Sequence, residues 1–235
     1  FGRGRAKAHG ICRFRITRFE PFSVYVTPIN LDPEHPDLTI ANPPHYSIAL
    51  AKIQGPFATL GLAEDTWALN ERVIDETAFL EQAYLIHEER RQQFFHALDR
   101  NPEGAIAVVF DATDRIQHMF WRYREADHPA GGDPDAGTFA EAIEQVYQAG
   151  DRIVGETLER CGTGDVVLVI SDHGFASFRR GVNLNTWFRD NGYLYLKGDP
   201  DDGPSPPLAP GQRVEANRID WPRTDTSMMR TPSAS

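Results

Sequence analysis

Apolar and polar positions follow two different rhythms along this chain. Between residues 64 and 100, Val73, Ile74, Thr77, Leu80, Tyr84, Leu85, Phe94, Phe95 and Leu98 recur at roughly helical spacing, which predicts helix until "NPEG" at 101–104 breaks it. Residues 105–110, "AIAVVF", then form a continuous apolar run, and 165–170, "DVVLVI", form another. Such runs suit strands buried on both faces. Residues 138–161 between them read as a long helix. A strand, a helix and a strand make a βαβ unit, which requires parallel pairing with a right-handed crossover. The expected fold class is therefore α/β, with a mostly parallel sheet.

The flanks are less regular. Residues 22–26 are a short β-prone piece. Residues 27–62 carry prolines at 28, 33, 36, 43 and 44 and read as an extended surface excursion, placed to act as a cap or insertion segment. "VNLNTWFRDNGYLYLK" predicts a short helix, a stop at Gly192 and an edge strand over 193–197. "GDPDDGPSPPLAPG" is a Pro-rich loop, and residues 225–235 show no periodicity and are expected to be a disordered or aberrant tail. There is no internal repeat.

Composition narrows the function classes. The 235 residues carry 34 acidic against 24 basic side chains, a net charge of −10, which disfavours duplex nucleic acid as a partner. Cys12 and Cys161 form no CxxC, so neither a disulfide framework nor a thiolate zinc site is indicated. No apolar run reaches the length of a membrane span. The basic opening "FGRGRAKAHGICRFR" begins with Phe1, as expected of an internal piece of a longer protein, which leaves localisation open.

Candidate chemistry sits where the two apolar runs stop. "VVFDATDRIQHMFW" places Asp111, Asp114 and His118 after the first run, and "DVVLVISDHGF" places Asp172 and His173 after the second. Functional groups of parallel sheets gather at the strands' carboxyl ends, so both pairs are expected at one edge. Asp114 and His118, four apart, share one face of a helical turn. Asp172 and His173 are adjacent and point apart in an extended chain, so a sharp turn at Gly174 is expected to bring both to the rim. Taken singly, each pair has a commonplace explanation, a capping Asp with a half-buried His, or a turn-forming Asp. Together they suit a site with mixed Asp and His ligands, hence two divalent metal ions, zinc or manganese, in a hydrolytic centre. Four ligands fall short of the six or so that a two-ion site takes from its protein.

Other residues near the motifs have plain readings. Asp111 is expected to be a strand-end hydrogen-bonding group or a support for a ligand. His128 is expected in an exposed turn, and Met119, Phe120 and Trp121 in the core. Arg179 and Arg180 are a solvated basic pair or a screen for an anionic substrate.

"DATDRIQHMFW" followed by "VVLVISDHGF" resembles the type I phosphodiesterase and nucleotide pyrophosphatase family of the alkaline phosphatase superfamily. The likeness extends across "YVTPINLDP", "EDTWALNERVIDETAFLEQ" and "RRGVNLNTWFRDNGYL", covering most of residues 19–224. It implies an alkaline-phosphatase-like sandwich, incomplete in this chain, and two metal ions bridging the phosphate of a small-molecule ester. Asp114 and His118 match the motif positions for one ion, Asp172 and His173 those for the other. In the family a Thr or Ser nucleophile and another Asp ligand precede this region, and a further His ligand follows it. None of the three can be placed here, so residues 1–235 are expected to be a partial catalytic domain, inactive when made alone. The alternatives are another superfamily activity, phosphomutase or sulfatase, and a non-catalytic relative. Phe175 after "DHG" leans away from the mutase-like "DHGN".

Overall fold

The computed structural model describes residues 8–131, 136–199, 208, 214 and 216–224. The predicted tail at 225–235 and most of the Pro-rich loop lie outside the described residues. The chain divides into two compact units, Phe1–Ser177 and Phe178–Ser235.

In the first unit, short strands come first. Strands β1 (Gly10–Ile11) and β4 (Asn30–Leu31) form one antiparallel pair, and β2 (Phe14–Arg18) and β3 (Ser23–Val26) another, with Phe14 opposite Val26 and Ile16 opposite Val24. The strand expected at 22–26 is thus found. Tyr25 on β3 turns into the core, and its hydroxyl donates to Asp65 Oδ2 at 2.6 Å. Arg13 and Arg15 pair with Glu89 and Glu81, tying this hairpin to the long helix beside it.

Helices supply the rest. The proline-rich excursion contains helix α1 (Tyr46–Gln54), which its sequence did not announce. The predicted helix over 64–100 is found as α2 (Thr66–Asn70) and α3 (Glu76–Arg100). Asp65 and Asp75 cap these two, accepting from the backbone N–H of Ala68 and Ala78 at 2.9 and 2.7 Å. Helix α4 (Ala112–Phe120) follows the first apolar run. The helix predicted over 138–161 is found as α5 (Ala136–Phe139) and α6 (Ala142–Arg160).

One core joins these elements. Phe79 on α3, Ile116 and Phe120 on α4, and Val146 on α6 are fully buried, and the rings of Phe79 and Phe120 stack at 6.0 Å. Each such side chain contributes roughly 1.5–3 kcal/mol by leaving water. On α4 the buried positions Ala112, Ile116 and Phe120 recur every four residues. Asp114 and His118 lie about 200° round from Ile116 and so fall on the opposite, solvent-facing side.

The expected mostly parallel sheet is not formed among the described residues, whose sheets are the two antiparallel pairs above. Neither 105–110 nor 165–170 joins a hydrogen-bonded ladder. Val109, Val166, Leu168 and Ile170 are 70 to 88% exposed. A strand buried on both faces needs a neighbour on each side for its backbone groups, and the described residues supply none. The helical crossover α6 is in place between the two runs, so the order of elements stands without the ladder.

The second unit contains α7 (Leu184–Asp190), ended as predicted by Gly192 at a φ of 77°. Residues expected as an edge strand contribute one antiparallel bridge, Leu196 to Ile219, and Leu194, Leu196, Val214 and Ile219 form a small core. No helix among the described residues is long and apolar enough to cross a membrane.

Candidate active site

Helix α4 is fixed at both ends, and this places its polar face. At its start the Arg90 guanidinium on α3 donates to Asp111 Oδ2 at 2.5 Å and to the Val109 carbonyl at 3.1 Å. Asp111 therefore anchors the end of the apolar run to α3, and its side chain does not cap α4. Beyond the last turn, Arg122 and the Tyr123 hydroxyl both donate to Glu76 Oε1, at 2.7 and 3.0 Å.

Between these anchors the four predicted residues meet. His118 Nε2 stands 3.4 Å from Asp114 Oδ1, and His173 Nε2 stands 3.6 Å from the same oxygen. Asp172 Oδ1 is 3.9 Å from His173 Nε2, with its side chain 91% exposed. The two sequence-distant pairs thus come together, with His173 closer to Asp114 than to its own neighbour. The turn at Gly174 is not the cause. Gly174 is not among the glycines with positive φ, and a Cβ added there would meet nothing within 4 Å. The chain bends instead at Asp172.

The orientation of His173 follows from its other nitrogen. Nδ1 lies 2.9 Å from the Gly174 carbonyl, which can only accept, so Nδ1 carries the proton. In the neutral ring Nε2 then presents its lone pair toward the Asp114 side, the arrangement in which imidazoles bind metals. The same hydrogen bond, with Asp172 and Asp114 adding to it, raises the pKa of His173 above its ordinary value.

Phe175 lies among the rings. It meets His118 edge-on at 4.7 Å, approaches His173 at 5.9 Å and stacks on Trp121 at 5.6 Å. Met119, Phe120 and Trp121 pack with the core as expected, and the half-buried Trp121 also carries this stack. His128 is half-buried in a turn, where its Nδ1 accepts from the Ala130 N–H at 3.0 Å, so the expectation of an exposed ring is corrected. Arg179 and Arg180 are exposed and belong to the second unit.

Sequence reading missed two residues behind Asp114. Arg115 Nη1 binds Asp114 Oδ2, and Arg115 Nε lies 3.9 Å from Oε2 of Glu64, whose side chain is 2% exposed. Burial raises the Glu64 pKa. Arg115 directly follows Asp114 and was open to suspicion. Glu64 carries no local sign of burial.

Whether this set fits a divalent ion can be judged from donor type and spacing. Carboxylate oxygens and imidazole nitrogens without thiolate suit zinc or manganese. Two donors on one tetrahedral zinc, each at about 2.1 Å, stand about 3.4 Å apart, which the Asp114–His118 pair matches at 3.4 Å and the Asp172–His173 pair approaches at 3.9 Å. The set fits in kind and spacing but is short in number. Among the described residues no three or more His, Cys, Asp or Glu side chains form a finished metal-holding group.

Comparison with protein-family models matches residues 54–227 to the family described as type I phosphodiesterase / nucleotide pyrophosphatase. The match takes in all four predicted residues, starts later than the resemblance read from residue 19, and runs slightly beyond residue 224. No curated protein and no solved structure matches the chain.

Proposed function

We propose, from the premise that this chain belongs to the type I phosphodiesterase / nucleotide pyrophosphatase family, that Asp114, His118, Asp172 and His173 serve a metal-dependent hydrolase of small phosphate esters. The family's members hydrolyse phosphate esters. The finer reading concerns the four side chains. Asp114 and His118 hold one divalent cation, zinc or manganese, and Asp172 and His173 hold a second. When bound, such ions act as Lewis acids on phosphoryl oxygens and favour attack at phosphorus. The observation that carries the reading is the approach of both imidazole Nε2 atoms to one oxygen, Asp114 Oδ1.

The chain's own groups prepare the site before any cation arrives. The Gly174 carbonyl fixes the tautomer of His173, and Phe175 limits the swing of both imidazoles. Asp172, the most exposed of the four, is free to turn toward an ion or an incoming ester. The mechanism calls for a Thr or Ser nucleophile that accepts the phosphoryl group, and no residue here is assigned that role. For this reason we expect the 235-residue chain made alone to be inactive.

The test uses a polypeptide that carries these residues together with a Thr or Ser nucleophile. It is assayed on a chromogenic phosphodiester, with the monoester and the sulfate ester as comparisons, in excess zinc or manganese. His118→Ala and Asp172→Ala are expected to lose diester hydrolysis while keeping the wild-type circular dichroism. Full activity in either variant removes the clusters from the chemistry, and a preference for the sulfate ester favours the sulfatase alternative.

A further inference from the structure

The least explained polar group near the site is Glu64. Its side chain is 2% exposed, and its Oε2 has no hydrogen-bond partner. The Nε of Arg115, 3.9 Å away, is also buried without one. A buried carboxylate left this poorly satisfied costs stability, so the fold gains little by keeping it. The other end of Arg115 offers a reason for it. Nη1 holds Asp114 Oδ2, which leaves Oδ1 as the oxygen facing both imidazoles.

We propose that Glu64 and Arg115 are positioning residues for Asp114, Arg115 fixing which carboxylate oxygen faces the two histidines and Glu64 cancelling the charge that Arg115 brings. This inference rests on the reading of Asp114 as a cation ligand. An arginine alone against Asp114 would neutralise the carboxylate and repel a dication. Glu64 also feels Arg90 and Asp111, which pair with each other at 2.5 Å and offset one another, so with Glu64 in place the three carboxylates and two guanidiniums keep a net charge of −1, and Asp114 keeps its attraction for a cation. Arginine suits this place better than lysine, because its planar fork presents Nη1 to one carboxylate and Nε toward another. Removing a group that supports a metal ligand in this way lowers metal affinity by about 10- to 100-fold.

The test substitutes Glu64→Gln, which keeps volume and removes charge, and Arg115→Lys, which keeps charge and loses the fork. Two readouts are taken on the 235-residue chain at fixed neutral pH. One is the ring ¹H–¹³C resonances of His118 and His173, and the other is the manganese concentration that broadens them. Both variants are expected to move the two ring resonances, and Glu64→Gln to raise the required manganese about tenfold or more. A purely structural role for Glu64 would change the melting temperature and leave these signals in place. Wild-type ring resonances and wild-type manganese response in Glu64→Gln would overturn the proposal. Should that variant fail to fold, unchanged resonances in Arg115→Lys do the same. If manganese leaves the wild-type rings untouched, the cation reading fails, and the ring resonances of the variants alone decide the positioning role.

Discussion

Glu76 is the joint on which the placement of α4 depends, and its removal has a cost that can be worked from the structure. Its side chain is 10% exposed, and Oε1 accepts from Arg72, Arg122 and the Tyr123 hydroxyl at 2.8, 2.7 and 3.0 Å. The Arg72 side chain is 61% exposed, so its share is below about 1 kcal/mol. The other two donors count for more, because Arg122 is 24% exposed and Tyr123 is 7% exposed. Glu76→Ala takes the shared carboxylate away from a guanidinium and a hydroxyl that keep the 2.7 Å bond from Arg122 to the Tyr123 hydroxyl. Breaking such a pair from one side costs about 3–5 kcal/mol. Glu76→Gln keeps an acceptor oxygen without the charge, and about 1–2 kcal/mol is expected. A domain's whole stability is about 5–15 kcal/mol, so the alanine variant loses a large part of it. Urea unfolding followed by circular dichroism measures all three proteins. If Glu76→Ala falls within about 1 kcal/mol of wild type, Arg122 and Tyr123 find water or other acceptors, and the joint is not one.

Other expectations concern titration and packing. Burial, which outweighs Arg122 and is reinforced by Glu76, pushes the Tyr123 pKa to about 12, and burial with the bond to Asp65 does the same for Tyr25. Both phenols therefore contribute stability that is complete below about pH 10 and lost as pH rises toward 12. Burial raises the Tyr84 pKa as well, so three of the seven tyrosines should ionise late in an absorbance titration. Burial holds the His87 imidazole below its ordinary 6.5, so its contribution is present above about pH 6.5 and is lost as pH falls through the folded-state value. His87→Leu should thus lose less stability than wild type between about pH 7 and 5, and an equal loss in the two proteins would contradict the assignment. Phe79→Ala, which empties a fully buried position against Phe120, is expected to cost about 3–5 kcal/mol in the same urea assay.

How far the sequence could be read depended on whether the signal was local. The long helices carried their own periodicity and α7 its Gly192 stop, so α3, α6 and α7 were legible to within a few residues. Helix α1 was hidden because the prolines at 43 and 44 read as breakers, although they stand just before the helix and do not interrupt it. The two apolar runs have the composition of central strands, but a ladder is a property of neighbours, and none of the described residues pairs with them. Asp114 and His118 were placed on one helical face by spacing alone. Their meeting with His173 was expected only because both pairs follow apolar runs. The turn at Gly174 was assigned wrongly, since a glycine beside a functional pair suggests a φ that the chain does not adopt there. Glu64 could not have been found, because nothing in "GLAEDTW" distinguishes a buried carboxylate from a solvated one.

The most direct test of the shared cation site is paramagnetic broadening in the 235-residue chain, since it reports location even where binding is weak. A second group of possible ligands makes the outcome informative. His9 and His35 have their rings 5.5 Å apart, with Asp37 and Asp32 at 3.7 and 3.1 Å from their Nδ1 atoms. Manganese is added in small steps while the ring signals of all eight histidines are followed. The account predicts that His118 and His173 broaden together and first, and that Asp114→Ala removes the effect from His118 and weakens it at His173, which keeps Asp172 beside it. Broadening that begins at His9 and His35, or that reaches His118 and His173 no sooner than the other rings, would contradict a cation site built on Asp114.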